Sequence, residues 1–141
     1  MTRRSWSSRS EEETAKIGSE IATMIRGNDV IFLSGDLGSG KTTLVRAIAA
    51  ALGASPADVS SPSFAIVHEY DAGAGTIIHV DGYRLSETLH EWRQIGIPEL
   101  LSGPGVKLVE WPKAGFRTMA QPAMSIGIET ADDGARTITV E

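Results

Sequence analysis

The densest chemistry in the chain lies in nine consecutive residues: Gly35, Asp36, Leu37, Gly38, Ser39, Gly40, Lys41, Thr42 and Thr43. They fit the pattern G-x4-G-K-[ST], in which glycines let the backbone curl until several N–H groups point inward at phosphate oxygens. Lys41 is then a cation able to reach the outer phosphates of a nucleotide, and the Thr42 hydroxyl is a ligand for Mg²⁺. Such a loop needs a further carboxylate at the end of a neighbouring strand, to hold the metal or to orient the attacking water. Two candidates exist: Asp81 closes the apolar run TIIHVD, and Glu110 closes VKLVE. Lys41, Asp81 and Glu110 are therefore the candidate catalytic set, with residues 35–43 as the nucleotide-binding loop.

A phosphate loop has to be carried by a strand before it and a helix after it. VIFLS (30–34) is a short continuous apolar run of the kind found in strands covered on both faces. From Lys41 to Leu52, Leu44, Val45, Ile48, Ala51 and Leu52 recur at helical spacing, and Gly53 is a helix stop. Upstream, Ser10 and Glu13 match a capping box, opening an amphipathic helix over Ser10 to Arg26 with Ile17, Ile21, Met24 and Ile25 on its apolar side. Downstream, Phe64 to Tyr70 and Thr76 to Asp81 read as strands joined by a hairpin loop, hence antiparallel. Glu87 to Gln94 reads as a helix, with a further helical turn around Pro98 to Leu101. Val106 to Trp111, Met124 to Glu129 and Arg136 to Val140 read as strands. Helices alternate with strands early and strands dominate late. That order predicts an α/β, P-loop NTPase-like fold with a central mixed, mostly parallel sheet flanked by helices.

The 141 residues set the expectation of a single domain over 1–141. With 41% hydrophobic and 22% charged residues the composition is that of a globular protein. A formal net charge of −5 argues against strong non-specific binding to nucleic acid. The absence of cysteine excludes disulfides and thiolate metal sites. No apolar run is long enough for a membrane span, and the first residues lack the apolar core of a signal peptide, so a soluble, cytoplasmic protein is expected.

GDLGSGKTTL, SPSF, HVDGYRL and VEWP occur in this order and at spacings that resemble the TsaE family (formerly YjeE), P-loop ATPases of threonylcarbamoyladenosine (t6A) synthesis on tRNA. The likeness runs over nearly the whole chain. It implies ATP or ADP and Mg²⁺ as ligands, and an ATPase that is weak alone and acts on TsaD and TsaB homologues. It further implies only an indirect link to tRNA, no membrane association, and a chain that is monomeric or weakly self-associating by itself. Asp81 matches the aspartate of H-x-D-x-Y-R, a position important for hydrolysis; Glu110 matches the V-E-W-P glutamate, a metal ligand beside Thr42; and Trp111 is its functionally important neighbour. SPSF (61–64) matches a switch-like loop that usually reads S-P-T-F, with Ser63 keeping the hydroxyl. Gly82 stands where the family commonly has an aliphatic residue, and Lys113 where it has an acidic residue or glutamine.

Minor candidates complete the picture. By the same resemblance Glu11, at the start of the first helix, lies near the nucleotide base, and Arg136, after the DDG turn, is a similar candidate. Arg84 could sense a phosphate or a partner, or be a surface arginine; His68, His79 and His90 are unclustered, and Trp6 and Trp92 suit packing or a partner surface. Two other functions were weighed. A small-molecule (nucleoside-type) kinase needs an arginine-rich lid, and none is visible. A GTP-dependent switch module needs guanine-reading and D-x-x-G motifs, and neither is present.

Overall fold

The computed structural model describes residues 3–35, 40–55, 67–73, 75–82, 89–112, 115–116 and 119–141. Its elements are β1 (Arg4–Ser8), α1 (Glu11–Ala22), β2 (Val30–Gly35), α2 (Lys41–Ala51), β3 (Val67–Asp71), β4 (Thr76–Asp81), α3 (Leu89–Gln94), α4 (Ile97–Ser102), β5 (Val106–Glu110), β6 (Met124–Thr130) and β7 (Arg136–Val140).

All seven strands join one sheet in the order β1-β7-β6-β2-β5-β4-β3. The central four, β6, β2, β5 and β4, pair parallel, whereas β3 on one flank and β7 and β1 on the other pair antiparallel. The mixed sheet therefore has a parallel heart, and β2 at its middle runs toward the G-x4-G-K-[ST] segment. Because β2 lies in the middle and is covered on both faces, its residues Val30 to Leu33 are all buried. Ile31 and Leu33 point to the side where α1 and α2 pack, with Ile17, Ile21, Leu44, Val45, Ile48 and Leu108. Val30 and Phe32 point the other way, into a second core with Val80, Trp92, Ile97, Leu101, Val109 and Phe116. Trp92 sits edge-on to Phe116 at 4.8 Å, so this tryptophan packs the interior.

The structure differs from the sequence pattern at a few ends. β1 was not anticipated: its residues RSWSS are polar, and only Ser8 is buried. What places it is pairing with β7, Arg4 opposite Val140 through Ser8 opposite Arg136, together with the Ser8 hydroxyl lying 2.6 Å from that of Thr14. Trp6 is tied to α1 by an indole N–H donated to Glu20 at 3.0 Å. α1 ends at Ala22 instead of reaching Arg26. There the Thr23 hydroxyl donates to the Glu20 carbonyl at 2.6 Å, a side-chain bond that competes with the helical ladder. At its start Ser10 accepts from the Glu13 N–H as expected, but the Glu13 carboxylate takes the N–H of Arg9, one residue earlier than a capping box requires. β5 stops at Glu110 because Trp111 turns into the left-handed region, at φ 53°. The first residues of the expected strand from Phe64, residues 64–66, and of the helix from Glu87, residues 87–88, lie outside the described residues.

Candidate active site

α2 begins where a phosphate loop demands. Gly40 caps it in a left-handed conformation, φ 103°, which a side chain would strain, and Lys41 is its first residue. The Lys41 side chain is 5% exposed. Its ammonium donates to the Gly35 carbonyl at 2.5 Å and lies 4.1 Å from the centre of the Trp111 ring, a cation–π contact. Thr42 and Thr43 follow, half-buried in the first turn. Asp36, Leu37, Gly38 and Ser39 lie outside the described residues, as do Ser61 to Phe64, Arg84 and Lys113.

Parallel pairing decides where the carboxylates go. β4 and β5 run with β2, so all three end at the same edge of the sheet, the edge at which open α/β sheets bind ligands. Asp81 and Glu110 are register partners at that edge. Since side chains alternate along a strand, both share a face with Leu108 and Ile77, the face on which α2 packs. The Trp111 N–H donates to the Leu33 carbonyl at 3.1 Å, joining the end of β5 to β2. Lys41, Asp81 and Glu110 are thus delivered to one edge by separate elements, and Trp111 bridges two of them.

Glu110 is 4% exposed and His79 is fully buried. Nε2 of His79 hydrogen-bonds Oε2 of Glu110, while its Nδ1 lies 2.9 Å from the Tyr70 hydroxyl. His79 and Tyr70 were not among the sequence candidates. The signal was nonetheless present: in H-x-D, residues 79 and 81 are two apart in a strand and must share a face.

Glu11 and Arg136 come together elsewhere on the same side. They line a cleft of about 250 Å³ with Ser8, Arg9, Gly40 and Thr43, directly beside the start of α2. Arg136 donates to the Gly134 carbonyl at 3.1 Å, and its Nε lies 3.9 Å from the point a β-carbon on Gly40 would occupy. The β1–α1 connection and the β6–β7 turn are strapped by an Arg9–Asp133 ion pair of 2.7 Å. The Ala135 N–H and then the Arg9 guanidinium hold the Asp133 carboxyl below its ordinary value.

The Asp81 and Glu110 carboxylates at the sheet edge and the Thr42 hydroxyl in the first turn of α2 are all oxygen donors, the type that suits a hard cation such as Mg²⁺. Among the described residues no three His, Cys, Asp or Glu cluster as a self-sufficient metal site. Among the described residues no helix is long and apolar enough to cross a membrane.

Comparison with known proteins fits this geometry. The sequence profile of the family described as "Threonylcarbamoyl adenosine biosynthesis protein TsaE" matches residues 8–138. A Bacillus subtilis protein named tRNA threonylcarbamoyladenosine biosynthesis protein TsaE is 37% identical over 134 residues, covering 95% of this chain and 82% of its own. The Aquifex aeolicus protein of the same name is 43% identical over 103 residues, covering 72% and 71%. The crystal structure of Bacillus subtilis YdiB superposes with a TM-score of 0.77 at 33% identity, over 99% of this chain and 84% of that one. From the phosphate-loop strand to the closing β-strands, this chain belongs to the TsaE family of threonylcarbamoyl adenosine biosynthesis proteins.

Proposed function

We propose that this chain is the ATP-binding and ATP-hydrolysing subunit required for t6A modification of tRNA, acting in the cytoplasm on a complex of TsaB and TsaD homologues. Lys41, Asp81 and Glu110 carry the proposal: three separate elements deliver one cation and two carboxylates to the edge of the sheet where α2 begins. Backbone N–H groups at the N-terminus of α2 and the Lys41 ammonium bind the phosphates; to reach them the ammonium leaves the Gly35 carbonyl and the face of Trp111. Thr42 and Glu110 would hold Mg²⁺, which would offset charge on the outer phosphates. Asp81, beside Glu110 and less buried, orients the attacking water. Glu11 and Arg136 line the cleft that takes the nucleoside end.

The printed names of the relatives concern t6A biosynthesis on tRNA. Weak hydrolysis by the isolated chain, rising when TsaB and TsaD homologues are added, is the expected behaviour. The decisive experiment depletes the protein in its cell and measures t6A in tRNA. A fall in t6A supports the proposal. Normal t6A would leave only a generic P-loop ATPase, and vigorous phosphotransfer to a small metabolite would make it a kinase.

A further inference from the structure

Tyr70 on β3, His79 on β4 and Glu110 on β5 form a hydrogen-bonded line across three adjacent strands, on the face of the sheet that α1 and α2 cover. The line also climbs. Tyr70 stands opposite Ile77, His79 opposite Leu108, and Glu110 opposite Asp81, so each strand crossed moves the chain of bonds two residues toward the catalytic edge. Relative exposures are 3% for Tyr70, 0% for His79 and 4% for Glu110, so none of the three is open to bulk water. With Glu110 ionised, as a metal-holding carboxylate is, its oxygen only accepts; the shared hydrogen is then on Nε2, and Nδ1 is the atom that faces the Tyr70 hydroxyl.

A solvated glutamate rotates freely about its last bonds, and a metal-holding one gains from being fixed before the metal arrives. Here one oxygen of Glu110 is already committed inward to His79. We propose that Tyr70 and His79 are positioning residues for Glu110: the phenol holds the imidazole, and the imidazole turns the carboxylate so that its second oxygen is the one offered to the metal–nucleotide. Neither residue touches the nucleotide. The consequence for metal use rests on the ATPase function proposed above; the relay itself rests on the three buried side chains.

Tyr70→Phe tests this with little risk to the fold, since it removes one hydroxyl and keeps the ring. In long-range ¹H–¹⁵N spectra of the nucleotide-free protein, the Nδ1 resonance of His79 is expected to move in Tyr70→Phe. The Mg²⁺ concentration for half-maximal ATP turnover is expected to rise about tenfold, with ATP affinity in excess EDTA changed by less than about twofold. His79→Gln, which keeps an N–H for Glu110 but loses the ring, is expected to raise the Mg²⁺ requirement further. A Tyr70→Phe protein that loses stability while its Nδ1 resonance and Mg²⁺ requirement match the wild type overturns the relay, because a merely structural bond behaves that way. If the wild type itself turned over no ATP, the ATPase function would fall instead. The Nδ1 resonance would then decide the relay alone: a shift supports it and a fixed resonance overturns it.

Discussion

The carbonyl oxygen of Trp111 stands 2.1 Å from the point that a β-carbon on Gly82 would occupy. This approach closes the end of β4 onto the end of β5, one residue beyond Asp81 on one side and Glu110 on the other. Trp111 is further held by its N–H to Leu33 and by a left-handed backbone, φ 53°. The two carboxylate-bearing strand ends are therefore set against each other by backbone contact.

Gly82→Ala should be costly for that reason alone. The obstacle is a main-chain oxygen, which cannot rotate away, and forcing a methyl against packed structure costs about 1–3 kcal/mol. A urea unfolding curve should show a lower midpoint with an unchanged slope. An unaltered midpoint would mean that the Trp111 carbonyl gives way freely.

Lys41→Met should separate binding from folding. The Lys41 ammonium, 5% exposed, rests against the Gly35 carbonyl and the Trp111 ring, and an apolar side chain of similar length should leave stability within about 1 kcal/mol. The rise in Tm on adding Mg-ATP should vanish in this variant. A retained thermal shift would show that phosphate is held without Lys41.

Glu110→Ala should act on two measurements at once. Leaving His79 Nε2 buried without an acceptor costs about 1–3 kcal/mol of stability. Mg²⁺-dependent ATP turnover should fall more than nucleotide affinity does. Turnover equal to wild type would remove Glu110 from the site.

Lys107 supplies a pH dependence far from the site. It is 1% exposed, and its ammonium donates to the Asn28 carbonyl at 3.1 Å and to that of Gly103. Burial pushes its pKa below the ordinary lysine value, partly countered by Asp29. The folded protein thus binds fewer protons than the unfolded chain between the lowered pKa and the ordinary one, so stability rises with pH through that window. Denaturant midpoints measured from about pH 8 to about pH 10.5 should climb in the wild type and climb less in Lys107→Met. Identical slopes in the two proteins would contradict the assignment.

The sequence made some of this legible and hid the rest for physical reasons. β2, α2, β4 and β7 were readable because buried elements keep an apolar pattern that nothing else explains, and the antiparallel β3–β4 hairpin followed from a short loop. β1 escaped because an edge strand with polar residues is defined by its partner β7, not by its own composition. At the site, Lys41, Asp81 and Glu110 could be named from motif and strand ends. The tie from Glu110 through His79 to Tyr70 could not, since it depends on which strands are neighbours and in what register. Glu11 and Arg136 were suggested by resemblance, and their shared cleft emerges only from the β1–β7 pairing and the Arg9–Asp133 strap.

That cleft has a history in time as well as a shape. Its two walls, Glu11 and Arg136, come from opposite ends of this fold, and β1 takes its place in the sheet by pairing with β7. Contacts so distant along the chain form slowly. The β2 and α2 elements, close in sequence, can thus form before the cleft beside them closes.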